Sequence, residues 1–408
     1  MSRKQYFALI LILGTLTALA PFSIDMYLPG FKAIADDLHT SASRVSLSLT
    51  GFFIGISAGQ LLYGPLLDRF GRKKPLYIGL TVYILASVGC SMAHSIESLI
   101  ALRFIQAIGS CAATVASVAM VRDLFPVKDS ARVFSLLILV LGASPMIAPT
   151  VGGYVTAAFG WSYVFLILAL LGLVVLAASA LWLPDSYQPD PGISLKPAPI
   201  IANFLAVVRE PQFYTYAFTG AIAFAGLFAY VSGSPLVFMT VFGVSEKVYG
   251  WIFAGLSVGF IGASQLNTVL LKWFNGTQII RVALLCYAVL GIMFAATALL
   301  GWLNLPTAIV FFFLLLACVG ITNPNASSLS LAPFSKNAGS ASALMGALQM
   351  GFGALISVLI SMFEKPSATP VAAGMAIAGL LALGVFYIGK RNIVQPVAVA
   401  QGDAVLAH

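Results

Sequence analysis

Apolar runs of about 20 residues recur along the whole chain, each long enough to cross a hydrocarbon layer of about 30 Å as a helix. Twelve such runs can be read, over 6–29, 45–67, 75–93, 97–121, 131–156, 161–183, 212–237, 247–271, 278–301, 305–331, 338–362 and 368–389. With 60% hydrophobic and only 8% charged residues among 408, there is too little polar surface to enclose this much apolar surface in water. Lipid is the expected solvent, and the expected fold class is an all-α polytopic membrane protein of twelve transmembrane helices in two six-helix pseudo-symmetric halves. The longest polar interruption, from Pro184 to Pro211, carries six prolines and separates six runs from six. The expected organisation is therefore an N-terminal half over 1–183, a cytoplasmic linker over 184–211, a C-terminal half over 212–389 and a cytoplasmic tail over 390–408.

The net charge of +8 does not mark a nucleic-acid binder, because the bases lie in short pieces between the runs and form no stripe. Membrane topology accounts for them. With the N-terminus in the cytoplasm, sixteen of the 21 Lys and Arg fall inside, Lys32, Arg44, Lys247 and Lys365 fall outside, and Arg103 falls within a run. Both termini are then cytoplasmic. The start, Met1 to Ala20, is expected to be a retained span and not a cleaved leader, since its apolar character continues through Leu28. Cys90, Cys111, Cys286 and Cys318 lie inside apolar runs without metal-binding spacing, so no metal site or disulfide framework is expected.

Of thirteen acidic residues, twelve lie in loops or at the ends of runs, and only Asp25 lies within one. An acid in lipid is costly, by about 2.5–3.5 kcal/mol at a helix centre on insertion scales, and its presence points to proton carriage or to pairing, for example with Lys32. Arg103, in purely apolar surroundings, shares a helical face with Gln106 one turn on. Two roles are open to it: bonding backbone carbonyls of a broken helix, or a functional one in which it biases the proton affinity of Asp25 or orients substrate. Asp68 stands among four bases in the turn Gly64 to Lys74, where it serves either as a turn residue or as a cap or lock between helices. The fifth run holds Gly142, Pro145, Pro149, Gly152 and Gly153, which mark a bend and a close-packed seam. In the second half, Tyr230, Ser234 and Gln349 offer scattered polar groups among apolar walls, suited to an amphiphilic ligand, whereas a sugar would need more polar partners.

Several segments carry a family likeness. Gly64 to Lys74 resembles the loop motif G-x-x-x-D-R-x-G-R-K of the major facilitator superfamily. Arg103-Phe104-Ile105-Gln106 resembles its fourth-helix R-x-x-Q, and Ala148 to Gly153 its antiporter motif G-P-x-x-G-G. Asp25 to Pro29, Tyr230 to Pro235, Pro324 to Ala326 and Ala338 to Ala343 narrow the resemblance to drug:proton antiporters of the Bcr/CflA drug-resistance type. Two positions depart from the pattern, Ala107 after Gln106 and Ala148 at the first glycine of the antiporter motif.

The resemblance implies a proton-coupled secondary transporter of the bacterial inner membrane that exports small amphiphilic drugs, amphenicol- or bicyclomycin-like antibiotics among them, by alternating access. It implies Asp25 as the protonation site, Arg103 and Gln106 as part of the coupling network, and Asp68, Arg69 and Arg72 as the cytoplasmic gate. Pro149, Gly152 and Gly153 represent the antiporter motif, and Tyr230, Ser234 and Gln349 are the expected substrate contacts. The expected partners are a drug-like small molecule, protons and lipid, with no cofactor, no nucleic acid and a monomeric state. The rivals are an uptake symporter on the same fold, a passive channel, and a membrane enzyme. The last is disfavoured because His39, His94 and His408 all lie outside the runs and form no catalytic motif. Reporter fusions test the topology: both termini should report from the cytoplasm across twelve crossings, and an external C-terminus would overturn the two-half organisation.

Overall fold

A computed structural model describes residues 3–125, 127–190, 192, 195–334, 338–363, 367–394 and 397. The regular elements formed by these residues are helical. The first half contains α1 (Arg3–Asp25), α2 (Phe31–Asp37), α3 (Ala42–Phe70), α4 (Lys73–Ser91), α5 (Ile96–Leu124), α6 (Val127–Phe159) and α7 (Ser162–Trp182). After α8 (Pro197–Val208), the second half contains α9 (Pro211–Pro235), α10 (Glu246–Leu270), α11 (Gly276–Leu299), α12 (Leu305–Leu331), α13 (Ala338–Ser361) and α14 (Thr369–Lys390). Among the described residues, eleven helices are long and apolar enough to cross a membrane. The 33-residue α6 completes the twelve. Lys336, Lys365 and most of the expected tail over 390–408 lie outside the described residues.

Two spans differ from their sequence reading. The first does not run straight to residue 29: α1 stops at Asp25, and a 3₁₀ turn over Leu28–Gly30 leads into α2. Pro29 is the reason, since a helical proline would lose its bond to the carbonyl four residues back, that of Asp25, and its ring would collide with that carbonyl. In α9 the same chemistry at Pro235 loosens the ladder into a π-helical stretch over Leu236–Val241, closed by Phe242 N–H donating to the Val237 carbonyl at 3.1 Å. The linker also holds more structure than its prolines suggest. Pro197 and Pro199 open the twelve-residue α8, where their missing N–H groups are harmless, and Pro211 opens α9.

The halves meet along two seams. In one, α3 lies against α13, with the Ser43 hydroxyl donating to the Phe363 carbonyl at 3.0 Å, Thr50 to the Ser357 hydroxyl at 2.9 Å, and Ser57 to the Ala347 carbonyl at 2.9 Å. In the other, α6 lies against α10 where small residues permit backbone contact. A methyl group on Gly152 would collide with the Met26 carbonyl, and one on Gly153 would come within 2.6 Å of the Glu246 carbonyl. From the opposite side, a methyl on Gly250 would come within 2.9 Å of the Pro149 carbonyl. The end of α6 is thus wedged between the end of α1 and the start of α10, at the end of the bundle far from the linker. Gly152→Val should force these backbones apart and lower the melting temperature, at a cost of about 1–3 kcal/mol. Gly255→Val in α10, where added atoms meet open space, should melt like the wild type.

Candidate functional site

Asp25, the last residue of α1, is 6% exposed, and its carboxyl makes no hydrogen bond or ion pair among the described residues. Lys32, the base nearest in sequence, is exposed on α2 and does not pair with it. Arg103 does not pair with it either. Its guanidinium, wholly buried on α5, donates from Nη1 to the Gln106 side-chain oxygen at 2.6 Å and from Nη2 to the Ser23 carbonyl at 2.9 Å. The rings of Tyr27 and Phe52 lie on it, each centroid 4.2 Å from the guanidinium carbon. Ring faces carry partial negative charge and here take the place of a carboxylate. Of the two roles left open by the sequence, the geometry matches the first: Arg103 bonds a carbonyl in the last turn of a broken helix, where carbonyls lack intrahelical partners.

Gln106 extends the network by donating to the Ser87 hydroxyl at 2.7 Å, while the hydroxyls of Ser23 and Tyr83 meet at 2.8 Å and those of Tyr27 and Ser48 at 3.0 Å. Helices α1, α3, α4 and α5 are thereby tied to the two residues on either side of Asp25. Pro149, Gly152 and Gly153 sit beside it on α6, with Gly152 packed on the backbone of Met26.

The second half faces Asp25 with phenols. Tyr230 on α9 is 1% exposed, and its hydroxyl, though near Ser234, forms no hydrogen bond of good geometry. Tyr249, in the first turn of α10, shares a hydrogen bond of 2.9 Å with the Ser234 hydroxyl. Both phenols lie within electrostatic reach of Asp25. Phe253 and Phe312 pack on Tyr230 with centroids 5.1 Å away. Sequence reasoning missed Tyr249, whose only signal was a tyrosine at the start of a run. The third expected substrate contact, Gln349 on α13, lies apart and donates to the Asn323 side chain at 2.9 Å.

At the linker end, a cavity of about 660 Å³ lies between the halves, lined by α3, α5, α8 and α13. Tyr230, Ser234 and Gln349 are not on its wall, which carries Gln60, Thr114, Asn203, Ser340 and Ser342 as polar groups and Asp68, Arg72 and Asp123 as charged ones. Arg72 donates from Nη1 to Asp68 and from Nε to Asp123 at 2.8 Å. Burial works against its charge, but the bonds and attraction from Asp123 and Asp68 more than offset this and hold its proton above the ordinary arginine value. The Tyr187 ring of the linker covers the guanidinium at 4.1 Å, Ser186 donates to Asp123 at 3.2 Å, and the Asp190 N–H donates to the Asp68 carbonyl at 3.2 Å. Asp68 is thus an ion-pair partner in the last turn of α3, and neither a bare turn residue nor a cap. Gly71, at φ +82°, makes the reversal that brings Arg72 back to it. Arg69 is half-buried nearby, 5.8 Å from the Phe70 ring centroid. Asp123, which reads in sequence as one more acid at a run's end, is the cluster's second carboxylate.

Comparison with known proteins agrees with this architecture. The family described as Major Facilitator Superfamily matches residues 13–358. A bicyclomycin resistance protein homolog from Haemophilus influenzae is 33% identical over 393 residues, covering 96% of this chain and 98% of the relative. A chloramphenicol resistance protein from Pseudomonas aeruginosa is 29% identical, covering 90% and 87%. The crystal structure of a D-xylose-proton symporter superposes with a TM-score of 0.75 over 97% of this chain and 99% of that one, at 15% identity, which speaks for the fold alone. A multi-pass helical bundle of two halves, matched along almost its entire length, is a transporter and not an enzyme, and the chain belongs to the major facilitator superfamily.

Proposed function

We propose that this protein exports small amphiphilic, drug-like molecules across the bacterial inner membrane in exchange for protons, working as a monomer without a cofactor and with both termini in the cytoplasm. The observation that carries the reading is Asp25: a buried carboxyl without a hydrogen bond or ion pair among the described residues, placed where both halves meet. A carboxyl so placed binds or releases a proton whenever rearrangement changes its burial or its partners. The names of the relatives, bicyclomycin and chloramphenicol resistance proteins, support an antibiotic-like substrate.

In the cycle this implies, substrate enters the linker-end cavity while Asp25 is ionised. Substrate comes into contact with Tyr230, Ser234 and Gln349, and the far end then parts. A proton taken up by Asp25 from outside expels the substrate and is surrendered to the cytoplasm after the far end closes again. Arg103 and Gln106 hold the end of α1 in register throughout. Asp68 and Arg72, with Arg69 alongside, fasten the linker end in one state, and Pro149, Gly152 and Gly153 form the far-end seam. With about 100 mV and one pH unit, a proton supplies roughly 3.7 kcal/mol, enough for about a 500-fold gradient of a neutral solute.

Asp25→Asn should abolish uphill accumulation of substrate into inverted vesicles, the direction that corresponds to export, while leaving folded protein. A variant that still builds a gradient collapsible by protonophore would place coupling elsewhere. Asp68→Asn removes one charge-assisted bond to Arg72 without changing volume, and should slow transport roughly tenfold or more with ligand binding better preserved. Wild-type rates in this variant would reduce the cluster to a topological signal.

A further inference from the structure

On the reading that Asp25 carries the coupling proton, we infer that Tyr249 and Tyr230 are its partners across the interface: their phenol hydroxyls receive the carboxylate when it gives up the proton, so that the second half senses the charge state of the first.

An ionised carboxylate without donors in a water-poor interior is strongly disfavoured. The first half offers it little. Both Nη groups of Arg103 are committed to Gln106 and Ser23, the Tyr27 hydroxyl to Ser48, and that of Tyr83 to Ser23, leaving the buried Nε–H of Arg103 as the one donor among them without a partner. On the neighbouring helices, Lys32 is exposed on α2, and Lys247 at the head of α10, next to Glu246, lies over the Tyr154 ring at 5.4 Å. No titratable side chain of α6 or α7 is paired with Asp25 among the described residues. The second half offers two phenols within electrostatic reach. The Tyr230 hydroxyl is buried and unpaired, and if Ser234 is the donor in its bond with Tyr249, the Tyr249 proton is also uncommitted.

The packing makes the approach short. Gly152 places α6 directly on the backbone after Asp25, and Gly153 and Pro149 place the same helix on the first turn of α10, which holds Tyr249. The phenol bonds form only while the far end is closed. They stabilise the ionised, empty carrier in that state and hinder it from opening without substrate. Substrate displaces the phenols from Asp25, and a proton removes the charge they bind. Either event frees the halves to move.

The sign of the test follows. A donor to the ionised form favours proton release. Losing it should therefore raise the pH at which Asp25 is half-protonated, by about one unit for a charge-assisted hydrogen bond. The measurement is the infrared band of the protonated carboxyl, followed against pH in reconstituted, substrate-free protein. Asp25→Asn should abolish the band and so assign it. Tyr249→Phe and Tyr230→Phe should each move its midpoint upward, and the double variant further. Tyr287→Phe removes another buried, unpaired phenol, one that packs against Gly226, and should leave the midpoint unchanged. Melting temperatures near wild type show that the Phe variants are folded; should one phenol variant fail to fold, the upward shift expected of the other still tests the inference. A band that Asp25→Asn removes but no phenol variant moves overturns this inference and leaves the coupling role of Asp25 standing. A band that Asp25→Asn does not remove overturns both.

Discussion

The first half is organised around a buried cation that forms no ion pair among the described residues. Arg103 can remain charged in this setting only because two ring faces, an amide oxygen and a backbone carbonyl together replace water. Each partner comes from a defined place in the chain, so the position of the guanidinium fixes the last turn of α1, the ring after its break, and the faces that α3 and α5 turn inward. The broken helix benefits in return. Its terminal carbonyls would otherwise lack donors at a depth where no solvent can supply them. Because both Nη groups of Arg103 are bonded elsewhere, the Asp25 carboxyl stays available for a partner that comes and goes.

Arg72 solves the opposite problem in the opposite way. At the linker end two carboxylates compensate it, and the linker itself closes the arrangement through Tyr187, Ser186 and Asp190. Its partner Asp68 is 45% exposed at the side chain, so that pair is partly screened and easily exchanged for water. One arginine is therefore a fixed anchor in a dry interior and the other a fastening at a wet rim. The linker is part of that fastening as well as a tether, since Pro199, Ile200, Asn203 and Phe204 of α8 line the cavity beside it.

Much of this was legible in the sequence because the bilayer leaves a chain few choices. Twelve apolar runs and a proline-rich interruption translate directly into helices and a linker, and rare polar residues in apolar runs, Asp25, Arg103 and Gln106, fall together in space because none can face lipid. What escaped depends on pairings between distant segments. Nothing near Asp123 distinguishes it from other acids at run ends; only the fold of the turn at Gly71 brings Arg72 to it. Tyr249 resembles an interfacial aromatic until α6 carries the end of α1 against it. The helix inside the linker was hidden by its prolines, which read as breakers although proline also suits a first turn. Tyr230 and Ser234 are buried and Gln349 is half-buried, yet polarity within a run does not tell which neighbour, cavity or helix will satisfy it.

The contacts of α3 with α13 have a regular spacing. Ser43, Thr50 and Ser57 recur every seven residues and so fall along one side of the helix, and the next position in the series is Gly64, on the cavity wall. A seam of interlocked leucines would have to expose a continuous apolar strip in order to separate. A row of hydroxyls behaves differently, because the protons of Thr50 and Ser57 can rotate to a carbonyl of their own helix one turn back, leaving neither donor stranded. Each bond contributes only about 1 kcal/mol, and successive bonds can be released one at a time from the cavity end. The seam works like a zip fastener with a stop at its far end: it holds α3 and α13 together at rest and gives way by small, reversible increments.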